Sequence, residues 1–84
     1  MLLNIGYETF VPCGHVSGIV KSDGSSMKKL RHDSIEHGLL IDATYGHKTR
    51  SMIVLTSRQI YLSSVQTTTL QARYNAIQKQ QQKL

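Results

Sequence analysis

Short apolar runs separated by polar clusters fill this chain. Leu2 to Gly6 and Phe10-Val11-Pro12 read as brief extended segments, with Pro12 at an edge or a start. His15 to Lys21 is a stronger strand candidate: Val16, Ile19 and Val20 are β-branched, and Gly18 marks a bulge or a close approach. After the turn signal Ser22-Asp23-Gly24-Ser25 the period changes. Met27, Leu30, Ser34 and Ile35 fall near a 3.6-residue stripe, with Ser25 or Ser26 as N-cap and Gly38 as the stop. His37 then sits at the negative end of the helix dipole.

The pattern returns to strands at Leu39 to Asp42, Arg50 to Thr56 and Gln59 to Ser63, with Ser57-Arg58 as the last reversal. A second helix starts among Thr67, Thr68 and Thr69, on a stripe of Leu70, the Arg73 stem, Tyr74 and Ile77. Beyond Ile77 the apolar periodicity ends. The expectation is one ordered domain over residues 1–77 and a disordered polar tail over 78–84. The fold class is α+β: a small domain of roughly five short strands, mainly antiparallel, and two helices.

At 84 residues this is a single domain, of a size that self-association commonly supports. With no Trp and one Phe, the core must be aliphatic. Ten Lys and Arg against five acids give a net charge of +5, which favours an anionic partner, although solubility alone can account for such a charge. The N-terminal segment lacks the basic and apolar regions of a signal peptide, and no apolar run spans a bilayer. Cys13 is the only cysteine, which fits a reducing compartment. A soluble intracellular protein is expected.

Catalytic and metal chemistry find little support. On a strand Cys13 and His15 share a face, but nothing activates the thiol, and a buried structural cysteine is expected. His15, His32, His37 and His47 are scattered without ligand spacing. No phosphate-loop pattern occurs around Gly24. No enzyme activity, metal or cofactor is expected.

What survives is the loop between the apolar runs Leu39-Leu40-Ile41 and Met52 to Leu55. Taken as the tip of a strand pair, it presents His47, Lys48 and Arg50 within four residues, with Thr49 as a hydroxyl donor. Such groups contact nucleic-acid phosphates. Tyr45 either packs on a sugar or covers the loop base. A merely solvated hairpin tip remains an equal alternative. Three cations bind weakly at cellular salt, so function requires the loop to be repeated around an assembly.

Asn4-Ile5-Gly6-Tyr7, then Asp42-Ala43-Thr44-Tyr45-Gly46 followed by basic residues and Thr49-Arg50, and later Leu62 to Gln66 (LSSVQ) resemble the RemA-like family of bacterial regulators of extracellular-matrix and biofilm genes. The resemblance runs over residues 4–73. It implies a cytoplasmic, nucleoid-associated activator of transcription that binds double-stranded DNA as a ring-shaped homo-oligomer, with a fold akin to LytTR-type domains. By motif position the DNA contacts fall on His15, His47, Lys48 and Arg50. The family has arginine where this chain has His15, His47 and Lys48, so binding that strengthens between about pH 8 and pH 6 is expected, as free imidazole titrates near 6.5. The rival reading is a ring-forming interaction module that has lost DNA binding.

Overall fold

Residues 1–82 are described by a computed structural model. Its strands are β1 (Leu2–Asn4), β2 (Phe10–Pro12), β3 (Val16–Lys21), β4 (Leu40–Asp42), β5 (Ser51–Leu55) and β6 (Ile60–Ser63); its helices are α1 (Ser25–Glu36) and α2 (Thr67–Gln82). The expected α+β class, with two helices, is what the chain adopts. Among the described residues the six extended segments all form strands, in two sheets: β1 with β2, and a second sheet ordered β3-β5-β6-β4. All pairs are antiparallel except β4 with β6, which is parallel.

The unbroken apolar run of β5 follows from its place. β5 lies inside the larger sheet, which is covered on both sides, so successive residues on opposite faces must both be apolar. Ile53 and Leu55 join Leu3, Ile5, Val11 and Leu70 in a core between this sheet and the layer formed by β1, β2 and α2. Met52 faces the other way, packing with Ile60 and Leu62 against Met27 and Leu30 of α1. Three layers therefore share the sheet as their middle.

Several local signals hold. The register of β3 slips between Val16 and Gly18, the expected bulge. Gly38 adopts φ +67 and closes α1 with a Schellman pair: its N–H donates to the Ile35 carbonyl (3.1 Å), and that of Leu39 donates to the Ser34 carbonyl (2.8 Å). The His37 Nδ1 lies 2.8 Å from the Asp33 carbonyl, as befits a helix C-terminus.

Other expectations are corrected. Gly24, not Ser25 or Ser26, is the N-cap of α1, and no side chain caps it. Ile35 is 56% exposed, because five residues turn it about 140° from Leu30. The reversal before β6 uses Thr56, Ser57 and Arg58, with Arg58 at φ +74 and its N–H bonded to the Leu55 carbonyl. α2 continues past Ile77 to Gln82, so residues 78–82 are helical rather than a disordered tail; 83–84 lie outside the described residues. Glutamine and lysine are good helix formers, and a helix already anchored by Leu70 propagates at little cost.

Cys13 and His15 do not share a strand face. They occupy a 3-10 turn, Cys13–His15, with Cys13 in the core and His15 exposed. Burial pushes the Cys13 thiol above its ordinary value, with the N-terminal ammonium acting in the opposite direction. A buried thiol held in its neutral form is a poor nucleophile. Alkylation of Cys13 by iodoacetamide is therefore expected only after denaturation, and labelling of the native chain at the rate of free cysteine would contradict this. No described helix is long and apolar enough to cross a membrane.

Candidate nucleic-acid interface

The loop between β4 and β5 is not a hairpin tip, because β6 lies between those two strands. It is a strap across the end of β6, tied at both ends. Ala43 N–H donates to the Leu62 carbonyl (2.9 Å) and Arg50 N–H to the Ser63 carbonyl (2.8 Å). Inside the strap, Asp42 accepts two hydrogen bonds at Oδ1, from the Thr44 hydroxyl (2.6 Å) and the Thr44 N–H (2.9 Å). These bonds hold the Asp42 carboxyl below its ordinary value, with the charge of Arg31 adding to the effect.

Buried hydroxyls fasten the neighbouring segments. Ser51 Oγ donates to the Val65 carbonyl (2.6 Å) and lies 2.9 Å from the Thr67 hydroxyl. Ser63 Oγ donates to the Ile5 carbonyl and accepts from the Val65 N–H. Ser22 closes the other side, its N–H on the Arg50 carbonyl and its Oγ on the Thr49 carbonyl (3.3 and 3.1 Å). The end of β3, the strap, the start of α2 and the Ile5-Gly6 turn thus form one framework.

That framework holds a groove of about 340 Å³. Lys21, Lys48 and Arg50 line it together with the Thr67 and Thr68 hydroxyls, and Asp23 is the one acid in its lining. The start of α2 adds backbone N–H groups and the positive end of the helix dipole. Three cations against one carboxylate leave the groove electropositive. Lys21 was not singled out by the sequence. As the final residue of a strand it carries no motif, and only the pairing of Lys21 with Ser51 brings it to the strap.

The four residues assigned by motif position do not form one cluster. Lys48 and Arg50 line the groove. His47 sits beside it, stacked on Tyr7 with ring centroids 5.4 Å apart. His15 lies at the opposite end of the sheet, where its carbonyl accepts the Thr56 N–H. Six residue steps along β3 separate it from Lys21, about 20 Å. Lys28 and Lys29 are exposed on α1, away from the groove lining. Among the described residues, no group of three or more His, Cys, Asp or Glu side chains could hold a metal ion.

A family model described as RemA-like, extracellular matrix regulatory protein A-like, matches residues 2–74. The chain belongs to the RemA-like family. The matched segment includes the groove, the strap and the first half of α2. Similar RemA-like relatives occur in Nitratidesulfovibrio vulgaris strain DP4 (44% identity, covering 87% of this chain and 85% of the relative). Others are found in Maridesulfovibrio salexigens (45%; 89% and 87%) and Fervidobacterium nodosum (41%; 87% and 78%). Each is named as an inferred regulatory protein. The description of the family model and the names of these relatives point to a regulatory role.

Proposed function

We propose that this chain is a DNA-binding regulator of transcription that acts as a ring-shaped homo-oligomer and serves extracellular-matrix genes. The observation that carries the reading is the convergence of Lys21, from the end of β3, with Lys48 and Arg50, from the strap, on one groove at the start of a helix. Lys and Arg side chains, Thr hydroxyls and helix N-termini are the groups that hold nucleic-acid phosphates. The groove offers no recognition helix to read base edges, so contact is directed by the DNA backbone and its shape.

Repetition supplies the affinity that one groove lacks. Each phosphate neutralised on duplex DNA contributes about 0.9 to the salt dependence of log K. Three contacts alone are weak at cellular salt, and copies held in a closed ring convert them into avidity. His15, about 20 Å away at the far end of the sheet, contacts the DNA at a separate point rather than within the groove.

The test is a titration of promoter-length duplex at several salt concentrations, with solution mass followed by light scattering with and without DNA. Binding that weakens steeply with salt, by a multimeric protein, is expected. Absence of binding at low salt excludes the DNA reading. A multimer without salt-sensitive binding supports the interaction-module reading instead.

A further inference from the structure

Tyr7, Tyr45 and His47 form an aromatic cluster on the surface beside the groove. Tyr7 and Tyr45 meet edge to face with centroids 5.0 Å apart, and the His47 ring stacks on Tyr7 at 23°. The four tyrosines of the chain divide sharply: Tyr61 and Tyr74 pack against the core, whereas Tyr7 and Tyr45 are 50% and 66% exposed.

Backbone strain holds the exposed pair in place. Tyr7 and Tyr45 have φ of 53 and 52, a left-handed conformation that bulky L-residues rarely adopt. Asn4 fixes the first of them: its Oδ1 accepts the Gly6 N–H at 2.8 Å and its Nδ2 donates to the Tyr7 carbonyl at 3.2 Å. Gly6 itself is at φ +125, and a Cβ there would meet Val65 Cγ2 at 3.2 Å. Strained positions persist where the surroundings enforce them, and they concentrate at binding sites. Covering the loop base needs no ring that stays two-thirds in water.

We propose that Tyr7, Tyr45 and His47 are a non-ionic platform that packs against the deoxyribose faces of the DNA strand whose phosphates Lys48 and Arg50 hold. The inference rests on the DNA reading above. Its occupant follows from continuity: Lys48 is the residue after His47, so a strand with its phosphate in the groove carries its sugars across the rings. A deoxyribose presents an apolar C–H face, which suits an aromatic surface. His47 serves here as a stacked ring beneath the sugar, and Tyr7 orients it.

The experiment measures duplex affinity across a salt series for the unaltered chain, Tyr45→Asn and Tyr45→Phe. Asparagine tolerates left-handed backbone, so Tyr45→Asn keeps the strap folded while removing the ring; thermal unfolding checks this. Tyr45→Asn is expected to lower affinity about two- to tenfold per contacting subunit at every salt concentration. The slope of log K against log salt should stay unchanged, because no cation is lost. Tyr45→Phe, which keeps the ring, should bind like the parent. Unchanged affinity in Tyr45→Asn overturns the platform and leaves the DNA reading intact. A fall in slope overturns it too, since the ring would then only organise the cations. If the unaltered chain binds no duplex, the DNA reading fails and the platform with it.

Discussion

Ile53→Ala is expected to leave the chain mostly unfolded in mild urea. Ile53 is fully buried on the interior strand β5, in the core that joins the larger sheet to β1, β2 and α2. Truncating a buried isoleucine removes transfer free energy and leaves a cavity, for a loss of about 2–5 kcal/mol. A domain of this length has a total stability of only about 5–10 kcal/mol. The same truncation at Ile35, on the exposed side of α1, should cost less than about 0.5 kcal/mol. Urea unfolding followed by circular dichroism compares the two. Equal midpoints for Ile53→Ala and Ile35→Ala would refute the layered core described above.

The contrast between Ile53 and Ile35 also shows how far sequence pattern reaches in this fold. Periodicity located the elements because burial demands it: β5 is apolar at consecutive positions because both of its faces are covered. Gly38 marked the end of α1 because its left-handed conformation suits glycine. Partner choice was not legible. Leu40 to Asp42 reads as a strand whether it pairs with β5 or with β6, and the parallel pairing with β6 depends on the three-dimensional path of the strap. The same limit applied to the site. Lys48 and Arg50 stand in a recognisable loop, whereas Lys21 joins them only through strand register, and Tyr7 meets His47 only because Ser63 draws the Ile5-Gly6 turn onto the end of β6. Conversely, motif position alone grouped His15 with His47, and the length of β3 separates them. The helical extension to Gln82 was missed because apolar periodicity reports packing, not the helix propensity of glutamine and lysine.

Replacing both Lys48 and Arg50 with alanine is expected to weaken duplex binding by on the order of thirtyfold per contacting subunit at physiological salt. Each phosphate contact contributes about 0.9 to the slope of log K against log salt, which amounts to roughly fivefold in affinity near 0.15 M. Lys21→Ala should cost one such step and Lys29→Ala almost none, since Lys29 does not line the groove. All three cations are on exposed side chains and make no ion pair among the described residues, so folding should be unaffected. Fluorescence anisotropy over a salt series separates this outcome from a general loss of structure: the slope falls by about 1.8 per contacting subunit for the double variant while the unfolding midpoint holds. In a ring the free-energy loss is multiplied by the number of subunits touching one duplex, so the fold-losses compound and the assembled protein should lose far more affinity than a single groove would. A double variant with undiminished slope would mean that DNA, if bound, lies elsewhere on the surface. The edge facing a phosphate would then have to be sought at the His15 end of the sheet, where Arg58 is also exposed.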